Sequence, residues 1–247
     1  MPYIENLEPF DIFRLSFGLV FTITSIIIGT LMIIKYFSVK QKNLILVGIT
    51  WIGLSSPWLP DTINLILIAL TEFYLPEIIY LTLTIALIPF PLCCWLAAFF
   101  DFLAIKRRNM ILVIAVILSV LFEIFFFSLL ILDYRAYIGT AYTNGEITIQ
   151  SYTLFTQVYF IIVLSAFILT GLVFGFQAIK SGNAEVKMKG KFLVAAFIIL
   201  LISTLTEIII GDPILIVIIL RGTGRTISGF LFYLGFILPK GLKKRLL

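Results

Sequence analysis

Residues 43–70 read NLILVGITWIGLSSPWLPDTINLILIAL. A helix needs about 20 apolar residues to cross a bilayer, so this run is long for a simple crossing. How it is counted decides the side on which every later loop falls. Its middle, Ser55-Ser56-Pro57-Trp58-Leu59-Pro60-Asp61, contains two prolines. Each lacks a backbone donor and clashes with the preceding turn, so Pro57 and Pro60 predict a kink or break. The favoured reading is a continuous helix, tilted or kinked, both here and in the long last span. The competing one makes Asn64–Leu70, and Ile214–Leu220 near the C-terminus, short re-entrant pieces.

Outward from this run the chain repeats the same pattern. Of 247 residues, 61% are hydrophobic and 13% charged, with mean hydropathy +1.16. A soluble domain is nearer half apolar and a quarter charged. The composition therefore implies one all-α integral membrane domain over residues 1–247. Apolar runs bounded by charges predict spans at Ile12–Ile34, Asn43–Leu70, Ile78–Ile105, Met110–Leu132, Tyr152–Ile179, Phe192–Ile210 and Pro213–Leu238.

Charge placement tests the count of seven. On the inner side of that scheme stand Lys35, Lys40, Lys42, Lys106–Arg108, Lys180, the Lys187–Lys191 cluster, Lys240 and Lys243–Arg245, against only Asp101 and Glu185. Acids dominate the outer segments. This matches the positive-inside rule, and six or eight spans would break it. The expectation is a seven-helix bundle of the cell membrane, N-terminus outside and C-terminus cytoplasmic. The acidic segment Met1–Asp11 lacks the basic start of a signal peptide. The net charge of +5 is explained by topology and anionic headgroups, not nucleic acid.

Asn144-Gly145, inside Ala141–Ile149, carries a hairpin signal because both central turn positions need positive φ. A small β-hairpin is expected in the outer loop between the fourth and fifth spans. Past Pro239, leucines alternate with Lys243, Lys244 and Arg245, as in a short amphipathic anchor. Pro89-Phe90-Pro91 should kink the third span. Gly18, Thr22, Ser25 and Gly29 share one face of the first span, and Gly171 and Gly175 form a GxxxG, the pattern of close helix packing.

The sharpest candidate site is a set of intramembrane charges. Glu123 and Arg221 lie at similar depth, roughly 12–14 Å below the outer helix ends. A charge at the bilayer centre costs about 2.5–3.5 kcal/mol on insertion scales, so each should face the interior and find a partner. A Glu123–Arg221 ion pair is expected, joined by Asp61, Glu207 and Arg225. The set is either an outward-opening pocket for a small molecule or lipid, or an internal brace with no ligand.

Absences narrow the chemistry. With no histidine, His-ligated zinc and Ser-His-Asp or Cys-His catalysis are excluded. The last span contains no lysine for a retinal Schiff base, since Lys240 lies beyond its inner end. No P-loop or dinucleotide motif appears. Adjacent Cys93 and Cys94 diverge by about 100° on a helix and do not predict a disulfide. No enzyme activity, metal or cofactor is expected.

The seven-helix, N-outside plan looks like that of receptors and membrane sensors, in architecture only. The segments Pro57-Trp58-Leu59-Pro60, Glu123-Ile124-Phe125-Phe126, Lys189-Gly190-Lys191-Phe192-Leu193, Ile219-Leu220-Arg221 and Gly235-Phe236-Ile237-Leu238-Pro239 resemble uncharacterised seven-helix membrane proteins of Asgard-type archaea. That resemblance covers nearly the whole chain and implies no activity. The first functional expectation is a receptor- or sensor-like protein that binds a small molecule or lipid in its outer half and acts through a cytoplasmic partner. The second is a small-solute, ion or proton transporter, and the third a membrane assembly subunit. The sequence leaves the oligomeric state open.

Overall fold

The computed structural model of the chain describes residues 9–71, 73–141, 151–209 and 215–246. Six helices among them are long and apolar enough to cross a membrane: Asp11–Val39, Glu77–Phe102, Arg108–Tyr137, Leu154–Ile179, Ala184–Thr206 and Leu215–Phe236. The protein is an all-α, multi-pass membrane bundle. In chain order its helices are α1 (Pro9–Val39), α2 (Asn43–Leu54), α3 (Leu59–Thr71), α4 (Glu77–Ile85), α5 (Pro89–Phe102), α6 (Arg108–Tyr137), α7 (Leu154–Ile179), α8 (Ala184–Ile209), α9 (Leu215–Phe236) and α10 (Lys240–Leu246).

The run 43–70 is not the continuous helix expected but is interrupted at its prolines. Helix α2 stops at Leu54, a 3-10 turn covers Ser56–Trp58, and α3 begins at Leu59. Proline is tolerated in the first turn of a helix, where its missing donor would be unpaired anyway. Pro57 accordingly opens the 3-10 turn and Pro60 lies in the first turn of α3. At 12 residues, α2 rises roughly 18 Å, well short of the hydrocarbon core. The third expected span is likewise divided, but the interruption falls at Ala86–Ile88, just before Pro89 rather than within Pro89-Phe90-Pro91. The two interruptions sit side by side: a methyl group on Gly53 would overlap the Pro91 ring, and the Thr50 hydroxyl reaches the Pro91 carbonyl at 3.2 Å.

Six elements close a ring in the order α1, α2, α5, α7, α8, α9, with α9 returning to α1. Helix α6 stands outside it, packed mainly on α5, and only 6% of its apolar stretch is buried against 56% for Glu77–Phe102. The small residues act as expected in packing. Gly29 and Gly48 let α1 and α2 cross at backbone contact, Gly171 receives Phe197, and Gly175 faces Val194 and Gly190 of α8.

The centre of the ring is aromatic. Trp51 stacks on Phe232 at 4.2 Å, while Trp95 meets Phe167 edge-on at 5.0 Å and lies 5.7 Å from Phe197. The Trp95 indole N–H donates to the Thr170 hydroxyl at 2.7 Å. Phe102, Phe174 and Phe236 extend this packing toward the end that carries Lys106, Lys180 and Lys240. We call that the basic end and the opposite one the acidic end. At the basic end Arg108 pairs with Asp101 at 2.8 Å, and Glu185 is held by Lys189 and Lys243.

At the acidic end a two-stranded antiparallel pair joins Gly139–Thr140 to Ser151–Tyr152. It flanks the position expected for a hairpin, although its tip, including Asn144 and Gly145, lies outside the described residues. Glu77 anchors this corner, accepting from the Tyr134 hydroxyl at 2.9 Å, the Arg135 guanidinium at 3.0 Å and the Ala141 N–H at 2.9 Å.

Candidate functional site

The intramembrane charges gather around the break in the second span. Asp61 sits in the first turn of α3, where the helix dipole favours an anion, and is buried. The Tyr80 hydroxyl of α4 donates to its Oδ1 at 2.7 Å, and Arg14 Nη2 of α1 stands 3.8 Å from the same oxygen. Gly18, one turn along α1 from Arg14, makes this approach feasible. A methyl group there would come within 3.2 Å of the Asp61 Cβ. The Nε and Nη2 atoms of Arg14 are themselves buried without a hydrogen-bond acceptor among the described residues, so Asp61 compensates this guanidinium through space.

Two further guanidiniums enter from α9. Arg225 is buried, with its guanidinium 4.5 Å from the centroid of the Trp58 ring and 5.9 Å from that of Phe21. Phe21 in turn meets Trp58 edge-on at 4.9 Å. A cation over an indole face outside bulk water gains about 2 kcal/mol or more, so the 3-10 turn of the break supplies its own seat for Arg225. Arg221, also buried, donates through Nη2 to the Thr206 carbonyl of α8. Gly222 beside it makes room for Phe17 of α1.

The expected Glu123–Arg221 ion pair does not form. Helix α9 packs on α1 and α8, whereas α6 lies outside the ring. Glu123 is half-exposed, and its polar neighbour is Tyr159 of α7, whose ring stacks on Phe122 at 3.9 Å. Equal depth groups the two residues but carries no information about azimuth. Asp61 and Arg225 do come together at the break, with Pro57 and Pro60 shaping it. The side chain of Glu207 lies outside the described residues.

Sequence reading missed Arg14, Tyr80 and Trp58. Arg14 did carry a signal: it is a base at an end otherwise dominated by acids, and it shares a helical face with Gly18. Tyr80 carried none, since a tyrosine near the end of an apolar run reads as an interfacial anchor. Chemically, the site sets a guanidinium and a phenol against one buried carboxylate and seats two further guanidiniums, one over an indole and one on a backbone carbonyl. Among the described residues no cluster of three or more Cys, Asp or Glu has metal-binding geometry, and Cys93 and Cys94 are free thiols. No protein-family model matches the chain, and no curated protein matches its sequence.

Proposed function

We propose that the chain is a receptor- or sensor-like protein of the cell membrane that recognises a small anionic molecule or lipid headgroup in its outer half. It would report through a cytoplasmic partner that reads the basic end. In this reading α2, the 3-10 turn and α3 together make one broken span, giving seven crossings with the acidic end outside. The observation that carries it is the asymmetry of the interior: Arg14, Asp61, Tyr80 and Arg225 cluster in the acidic half, while aromatic side chains fill the ring toward the basic end. A buried polar cluster above a packed aromatic floor suits recognition better than passage. The broken span is the element we assign to motion: at its junction short 3-10 bonds, Ser55 N–H to the Ile52 carbonyl at 3.2 Å and Trp58 N–H to the Ser55 carbonyl at 3.1 Å, replace the regular α-helical ladder.

The break also supports the second reading, transport, since discontinuous helices form the substrate sites of many transporters. One experiment separates the two. Full-length protein in nanodiscs is screened by thermal shift against phospholipids of differing headgroup and small organic anions, and the ligands found are tested for flux in proteoliposomes. The sensor reading expects a stabilising ligand that is lost in the Arg14→Gln/Asp61→Asn double variant, with no flux. Flux of that ligand would favour transport, and a panel without any saturable shift would count against both.

A further inference from the structure

Helix α6 is the least enclosed of the candidate spans. Only 6% of its apolar stretch is buried, whereas the other five bury between 28% and 56%. Lipid accommodates its apolar side chains without help. Near its middle stands Glu123, about 15 Å along the axis from Asp133 and about 22 Å from Arg108. Ionisable groups at such depth almost always pair or face a polar interior. Asp61 does so with Tyr80 and Arg14, and Arg221 with the Thr206 carbonyl. Glu123 is half-exposed and does neither: among the described residues no base and no hydrogen-bond donor reaches its carboxylate.

The chain has no base to offer it. Arg135, about three turns along α6, is bound to Glu77. Arg14, Arg221 and Arg225 belong to α1 and α9, whose contacts are with the ring rather than with α6. The remaining bases stand at the basic end, and the segments outside the described residues hold no lysine or arginine. Tyr159, its polar neighbour, does not substitute: the ring is stacked on Phe122, and the buried hydroxyl makes no hydrogen bond among the described residues. Toward the bundle, Ser119 and Phe126 of the same helix face are engaged, by Cys93 and by the cluster around Leu81 and Ile85. The other flank is open. Val116, Val120 and Phe127 lie one or two turns from Glu123 on its side of the helix, and all three are exposed.

We propose that α6 is the docking face for a membrane-spanning helix of a second protein, one that carries a lysine or arginine near mid-span to pair with Glu123. Val116, Val120 and Phe127 pack against that helix, and the short valine side chains let it approach closely. Charge decides the occupant. A wholly apolar helix would leave the carboxylate as unmet as lipid does. A second copy joined by a two-fold axis through α6 would set Glu123 against Glu123, and its own intramembrane guanidiniums are engaged within its ring. A guanidinium or ammonium at the same depth gives both charges a partner. This inference does not rest on the ligand reading, and either can fail alone.

For the test, full-length protein with a fluorophore on a terminal tag is reconstituted in liposomes with a labelled model helix of leucine and alanine whose central residue is arginine. Energy transfer is followed against helix density. It should saturate, at about tenfold lower density than for the same helix with leucine at its centre, the factor that one charge-assisted hydrogen bond supplies. Glu123→Gln should abolish the difference between the two helices, and Glu123→Asp should retain part of it. Val120→Trp keeps the carboxylate but obstructs the flank and should weaken association. Glu185→Gln, at the basic end, should behave as the unaltered chain does. The comparison of arginine and leucine helices uses the unaltered chain, so it decides even if a variant does not fold. Equal transfer to both helices would overturn the proposal. So would an arginine preference that survives Glu123→Gln, or Glu123-dependent transfer between labelled copies of the chain, which would make a second copy the occupant.

Discussion

Asp61→Asn is expected to destabilise the protein by about 3–5 kcal/mol, the usual cost of removing one partner from a buried ion pair. The asparagine side chain can still accept from Tyr80, so the loss isolates the charge. Arg14 would keep its guanidinium in a low-dielectric interior, with Nε and Nη2 already lacking acceptors among the described residues. The double variant Arg14→Gln/Asp61→Asn carries no charge at this position and should recover at least about 1 kcal/mol relative to Asp61→Asn, reflecting the coupling of groups in contact. Reversible unfolding in mixed detergent micelles measures both. A cost below about 1 kcal/mol for the single change, or a double variant as poor as the sum of its parts, would show that Arg14 and Asp61 do not depend on each other.

The second large effect lies at the other end of the interior. Trp95→Ala should cost about 3–5 kcal/mol, as for other large buried side chains cut back to alanine. Trp95 is fully buried and touches the aromatic rings of α7, α8 and α9 at once, so its removal leaves a void at the centre of the ring. Trp95→Phe keeps most of that packing and should cost far less. If the sealed floor matters to function, Trp95→Ala should also make the bundle leaky to small ions in proteoliposomes, whereas Trp95→Phe should not. Equal stability of the two variants would remove Trp95 from the core of the account.

Much of this is legible in the sequence. Six of the seven expected spans follow from hydropathy. The break at Pro57 and Pro60 follows from missing donors. Asn144-Gly145 signals a turn in the loop that the Gly139–Thr140 and Ser151–Tyr152 strands flank. The site was only partly legible. Depth along a helix can be read from residue number, but azimuth and neighbour order depend on how helices pack. Glu123 and Arg221 share a depth and lie on helices held apart by the ring. The Arg14–Asp61–Tyr80 cluster needs three elements to meet, and only the fold brings Tyr80 there. The kink in the third span moved to Ala86–Ile88 because a proline is accommodated most easily when it starts a helix rather than interrupts one.

The break itself now carries more weight than its prolines suggested. Trp58 seats Arg225, Asp61 compensates Arg14, and Gly53 fits against Pro91. One short segment therefore contacts helices from both halves of the chain. A ligand that alters this segment could alter the spacing of the helices around it, which is how a site near the acidic end would be felt at the basic end.

Seven crossings require residues 43–71 to be one broken crossing, and the positions of the two termini test this most directly. Reporter tags on the N- and C-termini of the full chain, probed in intact cells with a membrane-impermeant label, should place the N-terminus outside and the C-terminus inside. Both termini on the same side would mean an even number of crossings, with α2 and α3 returning to the face they entered. That result would contradict the assignment of the acidic half as the outward-facing site.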